Sequence, residues 1–74
     1  MEQVVKIKVL ENYNILIAFN DGVEKVINFK KYLDKGFKKD LLDYSEFEKV
    51  YIEDGGGIAW ENGYDFCPNL LKQI

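Results

Sequence analysis

The stretch VYIEDGGGIAWENGYDFCPNLL, Val50 to Leu71, leaves a chain few ways to fold. Its apolar runs, Val50-Tyr51-Ile52 and Ile58-Ala59-Trp60, are each too short for a helix, and Gly55-Gly56-Gly57 between them supplies the backbone freedom of a turn. The stretch is predicted to be a two-stranded hairpin with a flexible glycine tip. Asn62-Gly63 signals another turn. Pro68, which has no N–H to lose, fits the first position of a short terminal helix with Cys67 as its N-cap.

The earlier part of the chain supplies a scaffold for that hairpin. Val5, Ile7 and Val9 alternate with Lys6 and Lys8, the two-residue period of a strand with one dry face and one wet face. Glu11-Asn12-Tyr13-Asn14 is turn chemistry. Ile15 to Phe19 is a continuous apolar run, which predicts a central strand covered on both faces. Asn20-Asp21-Gly22 then closes a hairpin, because Gly22 takes a positive φ freely and the Asp21 carboxylate suits an Asx-type bond across the turn. Val23 to Phe29 returns as an edge strand, with Val23, Lys25, Ile27 and Phe29 on one face and Glu24, Val26 and Asn28 on the other.

From Lys30 the period changes. Tyr32 and Leu33 predict a helical turn stopped by Gly36, and Phe37, Leu41, Leu42, Tyr44 and Phe47 recur as short helical pieces laid on a sheet would require. Ser45, with Glu48 three residues on, predicts a capping box. The order is therefore βββ, helical crossover, ββ, short C-terminal helix: one small α+β domain over residues 1–74 with a mainly antiparallel sheet.

Composition works by exclusion. A domain of 74 residues buries only about 60 to 65% of the surface its unfolded chain exposes. Five Tyr, five Phe and one Trp offset this, since each buried aromatic removes roughly 150 to 250 Å² from water. Self-association or a partner is a common way to complete so small a core. All ten basic residues are Lys, so the fork that reads guanine edges and phosphates is missing. Charge is also polarised: residues 1–39 hold eight Lys against five acids, net +3, and residues 40–74 hold two against eight, net −6.

A single cysteine, Cys67, excludes an internal disulfide, and with no His there is no ligand set for zinc. Cys67 is expected as a half-buried small residue. No apolar run approaches the roughly 18 to 20 residues of a membrane span, and the N-terminus lacks a signal peptide's apolar core and cleavage site. The expectation is a cytoplasmic protein with no cofactor and no membrane partner.

Several of these residues form a pattern. The apolar run ending in Phe19-Asn20-Asp21-Gly22 is followed by Tyr32-Leu33, Gly36-Phe37 and Leu41, then Phe47 and Val50. Ile58-Ala59-Trp60-Glu61-Asn62-Gly63-Tyr64-Asp65 comes next, with Pro68 and Leu71 beyond. Over nearly its whole length the chain resembles the small bacterial proteins catalogued as domain of unknown function 2442, most specifically in Trp-x-Asn-Gly-x-Asp. The resemblance implies a small α+β domain that occurs alone or fused ahead of a helix-turn-helix, encoded beside a second small protein as in a toxin–antitoxin-like pair. These 74 residues include no helix-turn-helix of their own, so DNA reading by such a domain is not expected of them. The family pattern has Ser or Thr where Cys67 stands, and losing that N-cap hydroxyl costs roughly 0.5 to 2 kcal/mol.

Each candidate residue has a structural reading beside a functional one. Asp65 is expected to accept backbone N–H groups at the start of the terminal helix. Asp21, Gly22 and Gly63 are turn residues. Glu53 and Asp54 flank the glycines, but that loop lacks the Gly-Lys-Ser/Thr ending of a nucleotide loop, and two acids repel phosphate. Lys30, Lys31, Lys35, Lys38 and Lys39 form a basic face, either solvated or set toward an acidic protein or a nucleic-acid backbone. Trp60 reads equally as core or as interface, with Tyr51, Asn62 and Tyr64 beside it as a partner-binding set. With no nucleophile motif, catalysis would rest on isolated carboxylates. The reading is a non-catalytic protein-interaction or regulatory module that takes a protein partner or a second copy of itself; a nucleic-acid accessory working through the lysine face is the alternative.

Overall fold

The computed structural model describes residues 2–33 and 36–74, with backbone alone for residues 37–39. Strands β1 (Val4–Val9), β2 (Asn14–Phe19) and β3 (Glu24–Asn28) form an antiparallel sheet in that order, and β4 (Tyr51–Ile52), β5 (Ile58–Ala59) and β6 (Asp65–Phe66) form a second. Between the sheets run 3₁₀ turns at Lys30–Tyr32 and Gly36–Leu42 and helix α1 (Tyr44–Phe47), and α2 (Pro68–Gln73) follows β6. The α+β order matches expectation, with one strand added.

That strand exists because one turn is used three times. Phe19 N–H donates to the Val23 carbonyl at 2.8 Å and Gly22 N–H to the Phe19 carbonyl at 3.0 Å, with Gly22 at φ +90°. The same pair of bonds joins Glu53 to Gly57 at 3.0 Å and Gly56 to Glu53 at 2.9 Å, with Gly56 at φ +89°. It recurs between Trp60 and Tyr64 at 2.9 Å and between Gly63 and Trp60 at 3.0 Å, with Gly63 at φ +96°. Each is a three-residue hairpin loop ending in a left-handed glycine. In two of them an Asx side chain caps the loop: Val23 N–H donates to Asp21 Oδ1 at 3.0 Å and Tyr64 N–H to Asn62 Oδ1 at 3.1 Å. Asn62-Gly63 was legible as a turn; the two residues it returns to, Asp65 and Phe66, are too few to show a period.

The glycine loop is no flexible tip. Gly56 and Gly57 are buried, and the Gly56 carbonyl accepts Val4 N–H at 2.7 Å, joining the second sheet to β1. A Cβ on Gly57 would lie 2.2 Å from the Phe66 carbonyl oxygen, so this position has room only for hydrogen.

The sheets share one core. Ile15, Ile17, Phe19 and Ile27 from the first meet Ile58, Trp60 and Phe66 from the second, with Phe29, Leu33, Leu41, Phe47 and Leu71 filling between. Fully burying each such side chain is worth roughly 1.5 to 3 kcal/mol. On β1 the expected face is shifted: a bulge between Val4 and Lys6 buries Val4 and leaves Val5 58% exposed. One extra residue turns the next side chain to the other face. Val23 is also exposed, since β3 begins one residue after it.

The crossover is fastened by tyrosines. Tyr13 sits at φ +65°, a costly conformation for a non-glycine residue, and its ring packs edge-on against Tyr44 and Phe47 at centroid distances of 5.1 and 5.2 Å. Its hydroxyl donates to the Leu42 carbonyl while the Tyr44 hydroxyl donates back to the Leu10 carbonyl. The α1 N-cap is Asp43 rather than Ser45, because Asp43 Oδ1 accepts both the Ser45 N–H at 3.1 Å and the Ser45 hydroxyl at 2.8 Å.

Candidate interaction surface

The four residues of the aromatic set fall in different places. Trp60 is core: 2% exposed, its indole N–H donating to the Phe47 carbonyl at 2.9 Å and its ring stacked on Phe47 and Tyr64 at 5.7 Å each. It follows β5 directly and its ring is enclosed by the core, so its side chain has no face left for a partner. Tyr64 is half-buried and donates to the Tyr32 carbonyl at 3.1 Å; burial raises its phenol above the ordinary tyrosine value. Asn62 serves the turn. Tyr51 alone is open, 47% exposed on β4 beside Ile52 at 37%.

Asp65 does not cap the terminal helix. It pairs with Ala59 in β6, and the N-cap is Cys67, which is exposed and makes no side-chain cap bond. Asp21, by contrast, has the expected Asx bond and a further one: Lys72 Nζ reaches its carboxylate at 2.6 Å and Glu2 at 2.9 Å while lying 4.8 Å above the Phe19 ring. The Lys72 ammonium, with the Val23 N–H, holds the Asp21 carboxyl below its ordinary range. Of the basic face, Lys30 and Lys31 are exposed on the first 3₁₀ turn, with Lys31 Nζ 5.3 Å from the Tyr32 ring centroid. Lys35 and the side chains of Lys38 and Lys39 lie outside the described residues.

A surface not singled out from the sequence lies on β3. In the β2–β3 ladder Ile17 faces Lys25, Leu16 faces Val26 and Ile15 faces Ile27. The bonds at the two ends, Phe19 N–H to Val23 and Phe29 N–H to Tyr13, fix which residues pair with β2. Antiparallel alternation then turns the N–H and C=O of Glu24, Val26 and Asn28 toward the open edge. Val26 is 54% exposed. A groove of about 530 Å³ is lined by Leu10, Glu11, Asn14 and Val26. A second, of about 350 Å³, is also lined by Val26, together with Ile27, Tyr32 and Ile74. The signal in the sequence was an apolar residue on the face of an edge strand where water would favour a polar one.

Two three-stranded antiparallel sheets, short helical connections and an exposed edge strand define a small α+β domain. The chain belongs to the family described as Protein of unknown function (DUF2442), whose pattern matches residues 4–73. No curated protein and no solved structure matches it. Among the described residues no helix is long and apolar enough to cross a membrane.

Proposed function

We propose that this chain is a non-catalytic, cytoplasmic interaction module that works by adding a strand of another polypeptide to the open edge of β3. The observation that carries the reading is Val26, 54% exposed at the middle of a five-residue edge with its backbone groups turned outward. Strand addition takes affinity from main-chain hydrogen bonds and specificity from pockets for alternate side chains, and the grooves lined by Val26 are such pockets. The paired-gene arrangement that the family resemblance implies makes the product of a neighbouring gene one natural partner, in the manner of a toxin–antitoxin-like pair.

The test is capture from lysate of the native host, with and without nuclease, using tagged wild type and Val26→Pro. Proline removes the outward N–H without touching the β2 ladder, a substitution that edge strands tolerate. The expected result is one stoichiometric protein, a neighbour's product or untagged copies of the chain, that survives nuclease and is lost with Val26→Pro. Nucleic acid as the retained species transfers the function to the face of Lys30 and Lys31, and capture indifferent to Val26 removes the β3 edge from the mechanism.

A further inference from the structure

The β3 edge is complementary to itself, and we infer that its occupant is a second copy of this chain, paired antiparallel about a two-fold axis at Val26. This rests on reading β3 as the docking edge. In that register the second copy's Val26 faces Val26, its Asn28 faces Glu24 and its Ile27 faces Lys25. Apolar meets apolar and polar meets polar on the outer face, and Leu16, opposite Val26 in the existing ladder, extends the apolar stripe across the junction. Sliding the register by two residues sets Val26 against Glu24 or Asn28 and loses that match.

Charge sets the direction. The strand starts at Asp21 and Glu24 and leads into Lys30 and Lys31, so an antiparallel neighbour brings the basic end of one copy to the acidic end of the other. A parallel neighbour would stack like charges. Asp21 is already engaged by Lys72, which leaves Glu24, exposed on the outer face, to carry the attraction.

The other edges are poorer templates. β1 is bulged after Val4 and tied to Gly56, and β4 and β6 are two residues long. β3 has neither bulge nor proline, the usual defences of an edge. Its inward lysine, Lys25, is drawn away from the edge, its ammonium donating to the Lys72 carbonyl at 2.9 Å and to that of Ile74. A five-residue pairing makes a small interface, below about 1,200 Å², so the dimer belongs to the weak class that forms at high concentration.

Sedimentation equilibrium from roughly 10 μM to 1 mM reads the association. Wild type is expected to rise toward twice the chain mass of 8.7 kDa, and Val26→Pro to stay at the chain mass with unchanged far-ultraviolet circular dichroism and Trp60 emission. Register is read by oxidation in a Cys67→Ser background. Val26→Cys should form a disulfide-linked dimer, because directly opposed hydrogen-bonded residues lie about 5.5 Å apart at Cα, within disulfide reach. Glu24→Cys should not, since its own copy sits four residues away along the strand. Exchanging Glu24 and Lys30 singly should weaken the dimer, and the double exchange should restore it.

A wild type that stays monomeric at 1 mM, or a folded Val26→Pro that still dimerises, overturns the inference. If the monomer nonetheless captures a different protein through Val26, the edge belongs to that protein and only the self-pairing falls. If neither event depends on Val26, the docking-edge reading falls with it.

Discussion

Trp60 shows how much one side chain decides in a chain of 74 residues. Its ring contacts Phe29, Phe47, Tyr64 and Phe66 at centroid distances of 6.1, 5.7, 5.7 and 6.2 Å, and its N–H satisfies the buried carbonyl of Phe47. Truncating a buried Trp costs about 3 to 5 kcal/mol through lost transfer energy and the cavity left behind. That is a large share of a stability expected at roughly 5 to 15 kcal/mol. Trp60→Ala should therefore lower the urea midpoint drastically or abolish folding, and a variant with an unchanged midpoint would contradict the core assignment. Tyr13 is the opposite case. It adopts an unfavourable φ, and a hydroxyl bond and two ring contacts hold it there.

At the scale of elements, the repeated glycine loop explains why such short strands persist. A two-residue strand cannot hold register alone; here the same loop fixes both ends of β5, and the Asx bonds at Asp21 and Asn62 stiffen two of the three copies. The terminal helix is less well finished. Cys67 has the extended backbone of an N-cap, φ −74° and ψ 155°, yet makes no cap bond. A serine hydroxyl there would reach an orphan N–H of the first turn, so Cys67→Ser should stabilise the fold by up to about 0.5 to 2 kcal/mol. Urea titration of the two proteins measures this directly, and a serine variant no more stable than wild type would show that the first turn is already satisfied.

Across the whole molecule, Lys72 joins three distant segments: Glu2 near the start of the chain, the Asp21 turn, and its own terminal helix. The carboxyl of Asp21 is lowered from its ordinary 3.8 by the Lys72 ammonium and the Val23 N–H, so its contribution is present above that value and fades as pH falls through the lower, folded one. Lys72 is raised from its ordinary 10.5 by Asp21 and Glu2; its contribution is present below that value and fades only as pH rises beyond it. Thermal midpoints of wild type and Asp21→Asn should differ at neutral pH and converge as pH drops below about 3.8. A gap that persists in acid would place the effect of Asp21 in its turn geometry and not in its charge.

Sequence alone determined what depends on near neighbours. The existence and order of β1 to β3, the turns at Asp21-Gly22 and Asn62-Gly63, Pro68 at the start of α2 and the α+β order are set by residues a few positions apart, where period and backbone freedom speak directly. Tertiary structure decided what depends on distant ones. The bulge that exposes Val5 follows from how β1 meets β2. The burial of Gly56 and Gly57 follows from the approach of Val4 and Phe66. Trp60 became core because Phe29, Phe47 and Phe66 close over it, and Val26 remained open because no element of the described chain lies along β3 beyond it. A residue's period tells which face it takes; only packing tells whether that face is covered.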